Sequence, residues 1–376
     1  MGKVIRDIYK IEFLLLLICL FSPFAAVIVT LVLSLHFKST KLVYLLGLVI
    51  AVFLGYLNSS KELHSDFMIY YQHFMLARDL SFVDYLNNFN KEYVFYTFQY
   101  GLYFLTLGNW PIFVFIATLI PYLFLLRSIQ IFMTFYDAPK RVIFAVVITS
   151  LFFYPTFSYS AHLVRNFIAA SFFQYILIDL IYRRRFNGLL TIVAVGIHTS
   201  VVVVLSLISV LSRKVLRYML IGALILLGVY SGKSYLYTKI ALSLSGNMFE
   251  VFDDAPIILA FILITITLGF FSWRNLLFQA WDVNLKRYLS IFMLVLLTGY
   301  YASSLVPLLA QRLLLYSYFM LAPLFYIVSS ADNIASKIIS IVLPVLTIFI
   351  FIFRFSNSVF EYGSYSAILG GIFFTN

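Results

Sequence analysis

Apolar residues in this chain come in long runs that end at short polar or basic links, and the runs recur from one end to the other. The first covers residues 11–36 with a break at Ser22-Pro23, and it predicts either one membrane span or a hairpin centred on Pro23. Residues 42–57 form the next run. Two short runs follow at 93–107 and 111–126, separated by Gly108-Asn109-Trp110. Further runs lie at 142–154, 163–182, 188–211, 215–230, 256–271, 288–306, 313–329 and 338–353. Residues 127–141 read as a polar link and 155–161 as a turn. Helical spans need roughly 20 apolar residues, whereas barrel strands would alternate over about ten. The pattern therefore predicts an all-α polytopic membrane protein with about 10–12 embedded segments, some of them re-entrant.

Composition supports this. The chain has 376 residues, of which 63% are hydrophobic and 11% charged, against about 25% charged in soluble domains. A single helical membrane domain over residues 1–376 is expected, with no separate soluble domain. The formal net charge of +11 does not signal nucleic-acid binding, because the basic residues fall mostly in short loops between apolar runs, as the positive-inside rule requires. The lone Cys19 lies within the first run, which excludes disulfides within the chain and cysteine metal sites. No small-residue cleavage site follows that run, so no cleavable signal peptide is expected.

Charge also orients the chain. Residues 59–92 carry a net charge of −2 without histidines, which suits an outer loop, and Arg183-Arg184-Arg185 anchors the cytoplasmic side. Arg165 then lies near the outer surface. A single crossing by residues 188–211 would put Arg213, Lys214 and Arg217 outside and the loop at 231–255 inside, against the rule. A re-entrant hairpin or break near His198 removes both conflicts and leaves 231–255 as a second outer loop. Such a break is permitted where it lines a watery cavity. By the same parity the short run at 93–107 reads as re-entrant or interfacial.

A few polar residues stand out against this background. Arg165 enters an apolar helix, where a cation is costly unless it snorkels or meets a partner; it is either an interfacial arginine or a fork for phosphate oxygens. His198 is the only ionisable group in its run. It is a hydrogen-bonded core histidine, a proton acceptor, or a donor to a leaving group. Asp66 is four residues from both Glu62 and Tyr70, so all three are expected on one helical face. That face is either a surface amphipathic helix or a source of a carboxylate, and Asp66 and Glu92 are the best external carboxylates. Gln311-Arg312 opens an apolar helix, with Tyr316 one turn beyond Arg312. No ligand spacing suggests a metal, and no glycine-rich phosphate loop or nucleophile elbow is present.

These patches, in this order, resemble the EpsG-like branch of Wzy-type bacterial polysaccharide polymerases. The resemblance rests on Ser65-Asp66-Phe67-Met68-Ile69-Tyr70, on Lys91-Glu92-Tyr93 ahead of Gly108-Asn109, on Leu163-Val164-Arg165-Asn166-Phe167-Ile168-Ala169, and on Gly196-Ile197-His198-Thr199-Ser200. The patch from Gln311-Arg312 to Tyr316 is looser, and Asn166 stands where the family usually has Gln. The resemblance implies a GT-C-like membrane glycosyltransferase that joins undecaprenyl-diphosphate-linked oligosaccharide repeats into O-antigen or capsule on the outer face of the bacterial inner membrane. It implies no cofactor, no nucleotide sugar and no nucleic-acid partner; a flippase and a chain-length regulator are the expected protein partners. Asp66, Glu92 and His198 are the implied catalytic groups, and Arg165, Arg312, Tyr70 and Tyr316 the implied substrate-binding groups. A lipid-linked oligosaccharide flippase or another transporter, and a ligase-type transferase, are the alternatives.

Overall fold

The computed structural model describes residues 14–15, 18–63, 65–89, 92–209, 282–305, 307–330 and 333–357. The described chain is helical, and buried apolar residues from Val43 to Phe355 form one continuous core. The first helices are α1 (Pro23–His36), α2 (Thr40–Ser59), α3 (Ser65–Leu76), α4 (Phe82–Asn87) and α5 (Tyr93–Leu105). The middle of the chain supplies α6 (Trp110–Phe135), α7 (Lys140–Leu151), α8 (Tyr154–His162), α9 (Val164–Arg183), α10 (Gly188–Ile197) and α11 (Ser200–Ser209). The last group is α12 (Val283–Leu305), α13 (Pro307–Phe319), α14 (Ala322–Ser330) and α15 (Ile334–Asn357).

Five described stretches are long and apolar enough to cross a membrane: α2, α6, α9, the Arg312–Ser330 stretch through α13 and α14, and α15. A sixth is reached if α7 and α8, bent by 43° at their junction, form one broken span. The protein is thus an all-α polytopic membrane protein. The expected runs at 215–230 and 256–271 and the loop at 231–255 lie outside the described residues. Helix α9 is central, with 83% of its spanning window buried, whereas α15 is peripheral, with 33% buried. The outer stripe of α15 holds Ile334, Ile338, Ile341, Val345, Phe349 and Ile352, all exposed. Exposed apolar groups at helical spacing belong against lipid, not water.

Several boundaries differ from the sequence expectation, each for a local reason. Helix α6 continues through the expected polar link as far as Phe135, because Arg127 points outward while Ser128 returns its hydroxyl to the Phe124 carbonyl. Residues 155–161 are helical: Pro155 occupies the first turn of α8, where a missing N–H costs nothing. Arg312 lies in the second turn of α13, which begins at Pro307. Glu62 precedes α3, so it does not share a helical face with Asp66 and Tyr70. At Ser22-Pro23 the helix does break, with Ser22 capping α1 through the Ala25 N–H.

The two ends of α9 differ in character. At its C-terminus Arg183 pairs with Asp179 at 3.4 Å, and Arg184 adopts a left-handed conformation while donating to Asn284 Oδ1 at 2.9 Å. Arg183, Arg184 and Arg185 are exposed. Eighteen residues earlier, about 27 Å along the axis, Arg165 is packed into protein. Between α2, α6 and α8, Asn58 Nδ2 donates to Thr118 Oγ1 at 3.1 Å and to Ser160 Oγ, a buried polar link among the three helices.

Candidate functional site

Four pieces of chain converge on the N-terminal end of α9. Glu92 caps α5 with a left-handed backbone, φ 56° and ψ 38°, a conformation that costs a non-glycine residue about 1 kcal/mol or more. Strain of this kind persists where surrounding contacts hold the residue, and here its side chain is engaged on both oxygens. Glu92 Oε2 accepts from Arg165 Nη1, and Oε1 faces His198 Nε2 at 3.6 Å. Glu92 is 4% exposed. A carboxylate this deep is stable as a charge only with such partners.

Arg165 is the second residue of α9, which starts at Val164 after a non-helical break at Leu163. Aromatic rings surround its guanidinium: Tyr70 at 5.4 Å, Phe95 at 5.9 Å and Tyr96 at 5.9 Å from ring centre to Cζ. Cation–π attraction in a dry setting offsets part of the desolvation cost. Nε donates to Tyr70 Oη at 3.3 Å, and Nη1 donates to Tyr96 Oη at 3.3 Å as well as to Glu92. Nη2 donates to no described residue, while the side chain keeps 20% of its surface exposed. One edge of the fork is thus spent on the protein, and the other is open.

His198 sits in the break between α10 and α11, with φ −153° and ψ 125°. The expected interruption near His198 is therefore present; where the chain goes beyond Ser209 lies outside the described residues. The backbone N–H of Ser200 donates to His198 Nδ1 at 3.1 Å, so Nδ1 is the acceptor and the ring proton belongs on Nε2, facing Glu92. Ser200 Oγ is shared among His198 Nδ1 at 2.7 Å, Asn166 Oδ1 at 2.9 Å and Tyr316 Oη at 2.9 Å. Tyr316 is fully buried, and Arg312, one turn earlier on α13, acts on it electrostatically, as does Glu92. Glu92, Arg165, His198, Tyr70, Tyr316 and Arg312 thus meet in one polar cluster inside an apolar bundle.

Asp66 stands apart. It is exposed on the first turn of α3 and makes no hydrogen bond or ion pair with a described residue. Its charge suits the positive end of the helix. Its neighbour one turn on, Tyr70, is the group that reaches Arg165. Tyr96, Phe95, Asn166 and Ser200 belong to the site although sequence reasoning gave them no role. Tyr96 had a signal, being four residues after Glu92 on the same helix face. Asn166, in the place of the family's usual Gln, is 2% exposed and reaches the cluster through Ser200.

The short helices α3, α4 and α5 hold this arrangement in place. Gln99 of α5 donates through Nε2 to the Tyr70 carbonyl at 2.8 Å and accepts from Tyr85 Oη at 3.1 Å, joining α3, α4 and α5. Burial, reinforced by the nearby Tyr96, pushes the Tyr85 phenol far above its usual range, so it remains a neutral donor. Phe89 stacks on Tyr96 with ring centres 3.6 Å apart and planes 4° from parallel. Among the described residues no three His, Cys, Asp or Glu side chains form a group that could hold a metal ion.

Comparison with known proteins places this cluster in context. The model of the EpsG family matches residues 41–368, most of the chain, including every residue of the cluster. No curated protein and no solved structure matches.

Proposed function

The chain belongs to the EpsG family, a group related to Wzy-like polysaccharide polymerases, and from that premise we propose that it polymerises lipid-linked oligosaccharide repeats. In this reading the donor is a growing glycan on undecaprenyl diphosphate, and the acceptor is the terminal sugar of a second lipid-linked repeat. The observation that carries it is Arg165: a largely buried cation with one face held by Glu92 and Tyr96 and with Nη2 left for a ligand. An arginine so placed matches the oxygens of a phosphate.

The chemistry follows from the cluster. The acceptor hydroxyl oxygen attacks the anomeric carbon, forming the new glycosidic bond. The bond from that carbon to the diphosphate oxygen breaks, and the lipid diphosphate leaves with the electron pair. Arg165 stabilises the charge growing on the departing oxygen, where a preorganised donor is most effective. Glu92 takes the hydroxyl proton. As the diphosphate engages Arg165, the carboxylate oxygen now held by Nη1 is released for that task. His198 donates from Nε2 to Glu92 and orients it, because its Nδ1 lone pair is already occupied by Ser200. Tyr70 and Tyr96 set the guanidinium plane, and Arg312 adds positive potential through the Tyr316 side of the cluster. Asp66, exposed at the start of α3, fits contact with glycan hydroxyls better than proton transfer. The site faces the outside of a bacterial inner membrane, opposite Arg183–Arg185, with the lipid carrier reaching it from the bilayer.

The test is polymerisation by the full chain in lipid nanodiscs supplied only with undecaprenyl-diphosphate-linked repeats. A ladder of products is expected. A ligase would leave single repeats until its own acceptor is added, and a flippase would leave them unjoined under all conditions.

A further inference from the structure

A second cationic group lies beside the cluster. Lys61 follows the end of α2 and is 5% exposed, an ammonium taken almost wholly out of water. Its Nζ donates to His162 Nε2 at 3.0 Å, which puts the histidine's own proton on Nδ1. Nζ also lies 5.9 Å from the centre of the Phe67 ring. His162 ends α8, three residues before Arg165 across the kink at Leu163.

The register of α3 relates the two groups. Phe67 and Tyr70 are three residues apart and share a face. Phe67 meets Lys61, and Tyr70 meets Arg165. The two rings that receive the cations are therefore separated by about 4.5 Å along the helix axis. A second basic side chain thus meets the face of α3 that Arg165 meets.

We propose that Lys61 and His162 form the second half of a diphosphate cradle, holding the lipid-side phosphate while Arg165 Nη2 holds the sugar-side phosphate. This rests on the donor assignment of the preceding section. Lys61 acts as a compact point charge and His162 aims it. The lipid-side phosphate is the one that the monophosphate carrier keeps, so Lys61 contributes to binding of either lipid, and Arg165 reads the second phosphate.

The experiment is equilibrium binding of undecaprenyl diphosphate and undecaprenyl monophosphate to the full chain in nanodiscs. Wild-type protein is expected to prefer the diphosphate by about tenfold or more, the scale of one charge-assisted contact. Lys61→Met should weaken both lipids by about tenfold and leave their ratio near its wild-type value. Lys61→Arg should keep most of the affinity, and His162→Gln should reduce it by a smaller factor. Arg165→Ala should bring the ratio close to one while leaving monophosphate affinity unchanged. A Lys61→Met protein that retains wild-type affinity for both lipids would overturn the cradle, as would equal loss of affinity in Lys61→Met and Lys61→Arg. Wild-type protein that binds neither lipid would instead overturn the donor assignment itself.

Discussion

Arg165 is a residue whose neighbours define what it can do. Its fork is oriented by Tyr70 on Nε and by Glu92 and Tyr96 on Nη1, and lysine reproduces neither the plane nor the second edge. Arg165→Lys is therefore expected to fail nearly as badly as Arg165→Ala, each on the order of a hundredfold or more in rate. Glycan length distributions from a deletion strain carrying each variant at equal membrane abundance would check this; wild-type chain lengths from Arg165→Ala would remove the arginine from the mechanism. Ser200 makes a different kind of contribution. Its hydroxyl serves Asn166, His198 and Tyr316 at once, so Ser200→Ala leaves two buried groups short of a partner at about 1–3 kcal/mol. The His198 ring still keeps its bond from the Ser200 backbone. A clear fall in thermal midpoint with a smaller loss of polymerisation than Arg165→Ala is the expected result.

At the scale of elements, the site is made by breaks in helices. Leu163 separates α8 from α9, His198-Thr199 separates α10 from α11, and Glu92 starts α5 from a left-handed conformation. The break near His198 was legible through charge, because two basic or acidic loops would otherwise fall on the wrong side. The contact that seats it was not legible. Helix α10 packs on α5 through Gly196, where an added Cβ would lie 2.3 Å from Val94 Cγ2. Gly196→Ala should therefore destabilise by about 1–3 kcal/mol and shift His198 away from Glu92. Combining it with Val94→Ala should recover much of both stability and activity, a positive coupling in a double-mutant cycle. Additive losses would show that the two helices are not in contact there. Helix α5 was expected as a short run, and its 13 residues span about 20 Å, too little to cross a bilayer.

The whole molecule is a bundle with a polar cluster near one end of α9 and a basic cluster at the other. This polarity predicts labelling from opposite sides. In a Cys19→Ser background, a cysteine at the exposed position of Asp66 should react with an impermeant maleimide on intact spheroplasts. A cysteine at exposed Arg185 should react only after permeabilisation. Reversed accessibility would place the cluster on the cytoplasmic face and end the polymerase mechanism as drawn. The sequence by itself determined that the chain is a polytopic helical membrane protein, because hydrocarbon demands long apolar helices and 63% hydrophobic composition leaves no other solution. It also picked out Arg165 and His198, since ionisable groups in apolar runs are few and costly, together with Glu92 as a carboxylate of the first polar loop and Tyr316 as the residue one turn beyond Arg312. Only the tertiary structure decided that Glu92 is the carboxylate Arg165 meets and that Asp66 stays outside, a choice between two acids of similar sequence setting. It likewise joined Lys61 to His162 across 101 positions. Pairings of this kind depend on how helices far apart in the chain pack together, and neither periodicity nor spacing within one segment carries that information.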